Sequence, residues 1–259
     1  MKKEAAIIGF IVCIAAGLGV GWLIGATVSA PQTVDLVDQI KSRGYLNVGT
    51  SADYPPFEDY NTTTGEYYGF DIDIAKLIAD ELGVELQIQD MDFDSLIGAC
   101  SAGTIDMIAA AMTDTAERRE QLLPSVTYVT VTQVVIVKES STLEIEELSD
   151  LQGKAVGCQT GTVMQNELED AGVTPTTYAR ADLLIQALVA GDIDAAYVDG
   201  PIYTAYADTE DIKVIYSTPS EDLALWCRKS TPDLMYVING VIFDGYQEGT
   251  IQELLLKWF

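Results

Sequence analysis

One sequence pattern occurs twice in this chain and constrains its fold more than any other feature. Residues 96–106 and residues 184–194 share the pattern Leu-Ile-x-Ala-x-x-Ala-Gly-x-Ile-Asp, and the second copy begins 88 residues after the first. Each copy predicts a short helix that ends at a glycine in the left-handed conformation. An apolar strand follows each helix, of the kind that lies inside a parallel sheet. The repeat therefore predicts two similar α/β lobes.

A strand and a polar loop precede each copy of the repeat, at residues 46–56 and 155–162. An amphipathic helix that ends at Gly83 separates strands of the first lobe. Open α/β sheets bind ligands at the carboxyl ends of their strands, and two facing lobes form a cleft. We therefore expect the functional residues in the loops that follow the strands of each lobe.

Charge and composition exclude several classes of function. The 259 residues include 14 Lys and Arg against 40 Asp and Glu, for a formal net charge of −26, which repels nucleic acid. The chain has no histidine, so catalysis by a Ser-His-Asp or Cys-His arrangement is excluded, as is a His-ligated metal. The four cysteines lie far apart and give no metal-binding spacing, and residues 90–94 lack the glycine and glutamate of a calcium loop. We expect no cofactor and no metal.

The N-terminus predicts export. Ala5 to Val28 contains no charged side chain and is long enough to span a membrane, and Lys2 and Lys3 precede it. Residues 1–30 are either a cleaved signal peptide or an uncleaved membrane anchor. Pro31 directly after the small-residue cleavage site favours the anchor. Both interpretations place the rest of the chain outside the cytoplasm.

The loop after the first repeat has the chemistry of a carboxylate-binding site. Small residues such as Ala111 leave the backbone accessible, Thr113 offers a hydroxyl, and Arg118 offers a bidentate fork. The alternative is that Thr115 is only a helix N-cap and that Arg118 and Arg119 are both solvated.

The second lobe offers two further candidates. Asp199 ends an apolar strand, where a carboxylate needs a cationic partner, although it could also be the N-cap of a helix that begins near Pro201. Residues 159–162 precede a helix whose free N–H groups favour an anion. Tyr54 and Phe93 follow strands of the first lobe and are candidates either for the site or for the core.

Taken together, residues 45–58, 69–75, 91–97 and 112–118 resemble the family 3 extracellular solute-binding proteins, the amino-acid receptors of ABC importers. The resemblance implies the type II periplasmic-binding-protein fold, an α/β fold of two lobes, each a mixed sheet flanked by helices, joined by two crossover strands. The first lobe would comprise residues 31–129 and 221–259, and the second residues 130–220.

The resemblance also implies roles for single residues. Arg118, and not Arg119, corresponds to the arginine that clamps the ligand α-carboxylate, with Thr113 beside it. Gly161 and Thr162 correspond to the second lobe's contacts with that carboxylate. Asp199 corresponds to the aspartate that holds the α-ammonium group.

The ligand side chain is less well defined by the resemblance. Tyr54 and Phe93 correspond to the aromatic residues that stack on it, and Ser51 stands where several relatives have an aspartate. The expected neighbours of the side chain are polar overall, which favours a polar or cationic amino acid: Ser51, Asp53, Asp90, Gln159 and Val163.

The function implied is a non-enzymatic one. A monomer would capture a free L-amino acid outside the membrane, close around it and deliver it to the permease and ATPase subunits of an ABC transporter, with the N-terminal helix as its membrane contact. The alternatives are a ligand-sensing ectodomain of a receptor and a dehydratase-like enzyme on the same scaffold.

Overall fold

The structure, a computed structural model, describes residues 35–259. Its strands are β1 (Tyr45–Thr50), β2 (Asp53–Tyr54), β3 (Glu58–Asn61), β4 (Glu66–Tyr68), β5 (Glu85–Asp90), β6 (Met107–Ile108), β7 (Leu122–Pro124), β8 (Val129–Val131), β9 (Gln133–Lys138), β10 (Val156–Gln159), β11 (Thr176–Tyr178), β12 (Ala195–Asp199), β13 (Ile212–Ser217), β14 (Glu221–Leu223) and β15 (Trp226–Arg228). Its α-helices are α1 (Leu36–Arg43), α2 (Phe70–Leu82), α3 (Leu96–Ala102), α4 (Ala116–Gln121), α5 (Val163–Asp170), α6 (Ala181–Ala190), α7 (Gly200–Ala207), α8 (Pro232–Glu248) and α9 (Thr250–Trp258). Short 3-10 helices lie at Phe93–Ser95 and Leu148–Leu151.

Two five-stranded mixed sheets form the centres of the two lobes. The first has the order β5-β1-β6-β15-β7, in which β1 is parallel to β5 and β6 while β15 is antiparallel to its neighbours. The second has the order β11-β10-β12-β9-β13, in which β10 is parallel to β11 and β12 while β9 is antiparallel to its neighbours. A small antiparallel sheet, β2-β3-β4, belongs to the first lobe.

The chain crosses between the two sheets twice. Strand β8 leads into the second sheet and β14 leads back to the first, and the two strands pair antiparallel with Val131 opposite Glu221. The predicted α/β fold of two lobes with mixed sheets and two crossover strands is therefore confirmed.

The repeat performs the same structural task in both lobes. Gly103 and Gly191 end α3 and α6 with φ of 79° and 85°, the left-handed conformation that the sequence predicts. The aspartate of each copy then accepts a hydrogen bond from the backbone in or next to the strand that lies between two parallel neighbours, β1 in the first lobe and β10 in the second. The two bonds join Asp106 to the Asn47 N–H at 2.8 Å and Asp194 to the Ala155 N–H at 2.9 Å.

A glycine in β1 of the first lobe and in β10 of the second makes room for the repeat isoleucine. A Cβ atom on Gly49 would clash with the side chain of Ile105, and one on Gly157 would clash with that of Ile193. Both isoleucines are buried, so the helix and the sheet pack closely at the same place in each lobe.

Some predictions concern residues that lie outside the described part of the chain. The apolar segment Ala5 to Val28 and Cys13 belong to this group. Within residues 35–259, no helix combines the length and the apolar character that crossing a membrane requires. The three cysteines of this part of the chain, Cys100, Cys158 and Cys227, are buried free thiols.

Candidate functional site

A cavity lies between the lobes, where loops that follow strands of both sheets meet. The space between its lining atoms, including the part open to solvent, is about 300 Å³. Nine of the ten predicted site residues line it, and these are Ser51, Tyr54, Phe93, Ala111, Thr113, Arg118, Gln159, Thr162 and Asp199. The lining also includes Glu58, Ala110, Val163 and Met164. The tenth predicted residue, Gly161, is adjacent but does not line the cavity.

Arg118 provides the positive charge of the cavity. Helix α4 begins after Thr115, whose hydroxyl caps it by accepting a hydrogen bond from the Arg118 N–H at 3.2 Å, so Thr115 is the N-cap that the sequence predicts. The guanidinium of Arg118 donates to the Thr113 carbonyl at 2.7 Å and to the Gly161 carbonyl of the other lobe at 3.1 Å. It also lies 5.5 Å from the centre of the Phe93 ring.

The environment of Arg118 differs from that of the next residue. Only 6% of Arg118 is exposed, and burial lowers the pKa of its guanidinium to about 10, so it remains charged at neutral pH. Within residues 35–259, Arg118 forms no ion pair with a carboxylate of the protein. Arg119 is exposed and pairs with Asp114. The alternative in which both arginines are solvated is therefore wrong for Arg118 and correct for Arg119.

Asp199 provides a negative charge from the opposite lobe. It is the last residue of β12 and occupies the N-cap position of α7, but its carboxylate makes no capping hydrogen bond. One carboxylate oxygen accepts from the Tyr54 hydroxyl at 2.8 Å, and the other, Oδ1, is buried with no hydrogen-bond partner among the described residues. Burial raises the pKa of Asp199 to about 7. The side chain therefore faces the cavity, and only the backbone of Asp199 acts as the cap.

Two backbone N–H groups that the sequence assigns to the site are already bonded. Ala111 lines the cavity with φ of 45°, yet its N–H donates to the buried carboxylate of Asp71 at 2.9 Å. The Gly161 N–H donates to the Gln165 side chain at 3.0 Å, and the Gly161 carbonyl accepts from Arg118. Contrary to the prediction from sequence, neither of these two N–H groups is free to bind an anion in this structure. In each case a side chain of the protein, that of Asp71 or that of Gln165, already accepts the hydrogen of the N–H group.

Thr162 and Gln159 hold the loop at the start of α5. The Thr162 hydroxyl donates to the Gln159 carbonyl at 2.7 Å, and the Gln159 amide donates to the Ala179 carbonyl at 3.2 Å. Both side chains are buried and form part of the cavity wall on the second lobe.

A second group of contacts joins the lobes beside the cavity and was missed by sequence reasoning. Arg180 donates to the Ala52 carbonyl at 2.9 Å and lies 3.5 Å from Asp53 and 3.4 Å from Asp90. The Ala181 N–H donates to Asp53 at 2.7 Å. Asp53 and Asp90 therefore contact the second lobe and do not line the cavity, which corrects their prediction as ligand neighbours. Ser51 donates to Asp53 at 2.9 Å and remains in the lining.

Glu58 is a functional candidate that the sequence analysis did not single out. It begins β3, only 1% of it is exposed, and its side chain lines the cavity. Burial raises its pKa well above the usual value, with Asp71 as the next largest cause. The sequence signal that could have identified Glu58 is its position directly after the apolar residues Pro55, Pro56 and Phe57.

The donor types of the cavity suit an organic ion better than a metal. Within residues 35–259 no cluster of three or more His, Cys, Asp or Glu side chains could hold a metal ion. The cavity instead presents the guanidinium of Arg118 and the carboxylate of Asp199 from facing lobes, together with the Glu58 carboxylate, hydroxyl groups and two aromatic rings. This arrangement complements a small zwitterion.

Comparison with known proteins agrees with this geometry. The model of the bacterial extracellular solute-binding proteins, family 3, matches residues 46–259. The arginine-binding extracellular protein ArtP of Bacillus subtilis (strain 168) is 32% identical over 223 residues, which cover 83% of this chain and 86% of that protein. The crystal structure of the P235GK mutant of ArgBP from T. maritima has a TM-score of 0.83 at 37% identity, covering 86% of this chain and 98% of that one.

A further solved structure that this chain resembles is that of an ancestor of an enzyme. The ancestral amino-acid-binding protein AncCDT-1, described as a precursor of cyclohexadienyl dehydratase, has a TM-score of 0.81 at 33% identity, and covers 86% of this chain and 99% of that one. It is itself described as a binding protein.

The chain belongs to the bacterial extracellular solute-binding proteins, family 3. The family resemblance drawn from the motifs is thus confirmed. Membership implies a location in the periplasm or outside the cell, and the proteins it resembles are binding proteins.

Proposed function

We propose that this protein captures one free L-amino acid between its two lobes and delivers it to the permease of an ABC transporter. It is the substrate-binding component, and the captured ligand is a polar amino acid. The observation that carries the proposal is the pair Arg118 and Asp199, buried in one cavity and contributed by opposite lobes. A free amino acid has one group of each charge, a carboxylate and an ammonium, and it therefore matches both.

Each charged end of the ligand has a defined partner in this proposal. Arg118 uses the N–H groups left over from its bonds to Thr113 and Gly161 to bind the carboxylate, assisted by the Thr113 hydroxyl. The Thr162 hydroxyl donates to the Gln159 carbonyl, so Thr162 forms the wall beside the carboxylate. Asp199 accepts from the ammonium group through Oδ1, which has no other partner among the described residues. Closure excludes water, which strengthens both interactions.

The lobes move relative to each other as the ligand enters. Residues 31–129 with 221–259 form one body and residues 130–220 the other. The contacts of Arg180 and Ala181 with Asp53, and of Tyr54 with Asp199, cross between these bodies and hold the closed form.

The protein acts without catalysis, as a monomer, and remains attached to the membrane through Ala5 to Val28. The chain lacks histidine, and its cavity carboxylates are used to balance the ligand's charges. Incubation of the purified protein with its ligand should leave the ligand unchanged, whereas a dehydratase-like activity would give a product. Mass spectrometry of the native protein should find the N-terminus intact, and a chain beginning at Pro31 would contradict the anchor.

A thermal-shift screen against the twenty amino acids tests the central proposal. A ligand at a hundred times its Kd should stabilise the protein by about 2.7 kcal/mol, or about 5–10 °C in Tm. At least one polar amino acid should produce this shift in the wild type. A screen in which no amino acid shifts the transition would contradict the proposal.

A further inference from the structure

Glu58 is a buried carboxylate in the cavity wall whose two oxygens have no hydrogen-bond partner among the described residues. A buried charge normally pairs with another group or is hydrogen-bonded. The arrangement at Glu58 therefore needs an explanation that the clamp formed by Arg118 and Asp199 does not supply.

The neighbouring buried carboxylates show what is unusual about Glu58. Asp71 accepts from the Tyr128 hydroxyl at 2.7 Å and from the Ala111 N–H at 2.9 Å. Asp53 accepts from Ser51 and Ala181 and faces Arg180. Neither of these two lines the cavity, and both have their partners within the protein. Within residues 35–259, Glu58 and Asp199 are the fully buried carboxylates that have partnerless oxygens, and both line the cavity. Asp233, which is only half-buried and lies elsewhere, also has one partnerless oxygen, but its other oxygen accepts from the Val37 N–H at 2.8 Å.

The charges that line the cavity do not balance with a neutral zwitterion. When ionised, Glu58 and Asp199 carry two negative charges against the single positive charge of Arg118. The ligand carboxylate neutralises Arg118 and the ligand ammonium neutralises Asp199, which leaves the charge of Glu58 without a partner. A second cationic group on the ligand restores neutrality in a space from which water is excluded.

We propose that Glu58 binds the cationic end of the ligand side chain and selects amino acids with a positively charged side chain. This inference rests on the proposed function, because it assumes that Arg118 and Asp199 hold the α-carboxylate and the α-ammonium. The ligand class is then an α-amino acid with a guanidinium or a second ammonium group.

L-arginine and L-citrulline form the probe pair, because a neutral ureido group of nearly the same shape replaces the guanidinium. Calorimetric titration of the purified full-length protein at pH 7.5 should find L-arginine at least about thirtyfold tighter than L-citrulline, as expected when a buried charge loses its partner. Glu58→Gln should remove most of this preference and leave the affinity for L-citrulline within about threefold.

The control is Glu66→Gln, the same chemical change at an exposed position of the neighbouring strand β4. It should leave both affinities unchanged. A second measurement requires no variant: titration of the wild type with L-arginine and with L-citrulline, each in two buffers of different ionisation enthalpy. Because burial raises the pKa of Glu58, a cationic side chain that pairs with it should ionise it, so L-arginine should release more protons than L-citrulline does. Equal proton release with the two ligands would mean that the arginine side chain does not ionise Glu58, which would overturn the inference.

The outcomes separate the two proposals. If the wild type binds L-citrulline or another neutral amino acid as tightly as L-arginine, or if Glu58→Gln weakens both ligands equally, the inference about Glu58 is wrong while the proposed function stands. If no amino acid binds the wild type, the proposed function itself fails.

Discussion

The two copies of the repeat share a scaffold but lead to loops of opposite charge. In both lobes a left-handed glycine ends the helix, an aspartate bonds to the backbone in or next to β1 or β10, and an isoleucine packs against a glycine of that strand. The residues that follow the two repeats differ. A loop after the first repeat leads to the buried Arg118, and the strand after the second repeat ends at the buried Asp199.

This difference indicates how a duplicated fold can acquire a site for a zwitterion. The repeat residues fix the ends of the strands at equivalent places in the two lobes, and the positions after those ends are free to differ. One lobe then presents a cation and the other an anion, and the ligand that joins them also holds the lobes together. The predictions below test whether the loops carry the affinity and the repeats carry the stability.

Replacement of Arg118, the positive charge of the first lobe, should have the largest effect on ligand affinity. Arg118→Ala leaves the ligand carboxylate buried without a partner and should weaken binding by about 2–5 kcal/mol, as for other buried charge pairs. Arg118→Lys should also weaken binding, because a point charge cannot replace the bidentate fork. Arg119→Ala is the matched control, since Arg119 is exposed and pairs only with Asp114. Greater harm from Arg119→Ala than from Arg118→Ala, measured by calorimetry, would contradict the assignment.

Replacement of Asp199, the negative charge of the second lobe, should have a smaller effect on ligand affinity. Asp199→Asn keeps an acceptor for the ammonium and for the Tyr54 hydroxyl but loses the charge, so we expect a loss of about 1.5–3 kcal/mol in binding. The same titration measures it. Wild-type affinity in Asp199→Asn would show that the two lobes do not share the ligand as proposed.

Changes in the repeats should affect stability and not affinity. Asp106→Ala removes a buried hydrogen bond to β1 and the ion pair with Arg43, and should lower the free energy of unfolding by about 1–3 kcal/mol. Asp194→Ala removes the equivalent bond at an exposed position and should cost about 0.5–1.5 kcal/mol. Urea unfolding measures both. A large loss of ligand affinity in either variant, with stability unchanged, would assign the repeat a role in the site.

The ligand-free protein should become less stable as the pH rises from about 4 to about 7. Burial raises the pKa of Asp53 to about 6, and those of Asp71 and Asp199 to about 7, from 3.8. The folded protein therefore holds protons in this interval that the unfolded chain has released, so the free energy of unfolding falls as the pH rises.

Urea unfolding at pH 5 and pH 8 measures this dependence, with added salt to screen repulsion between surface charges. Asp199→Asn should reduce the dependence, because one of the raised carboxylates is removed. A free energy of unfolding that rises from pH 5 to pH 8 would contradict the prediction.

The sequence was informative wherever a local pattern determines the structure. The repeat predicted both lobes and both left-handed glycines, and the strand-to-loop positions of Arg118 and Asp199 predicted that they face one cleft. Contacts between distant parts of the chain could not be read in the same way. Arg180 contacts Ala52 across 128 residues and also lies 3.5 Å from Asp53, which does not line the cavity.

The same limit explains the Ala111 N–H and Glu58, whereas the Gly161 N–H is bonded locally, to the side chain of Gln165. The Ala111 N–H was expected to be available, but Asp71, 40 residues earlier, accepts its hydrogen. Glu58 is buried at the start of β3 in the small sheet β2-β3-β4, and no local sequence pattern reveals this burial. Sequence thus located the charged ends of the site and left the neighbours of the ligand side chain undetermined.

The most direct test of the clamp removes the same interaction from the protein and from the ligand. Calorimetry would compare the tightest-binding amino acid of the screen with its decarboxylated amine, on the wild type and on Arg118→Ala. If Arg118 holds the carboxylate, the wild type should bind the amino acid at least about thirtyfold tighter than the amine, and Arg118→Ala should bind the two within about threefold of each other. An Arg118→Ala variant that still prefers the amino acid as strongly as the wild type does would contradict the account.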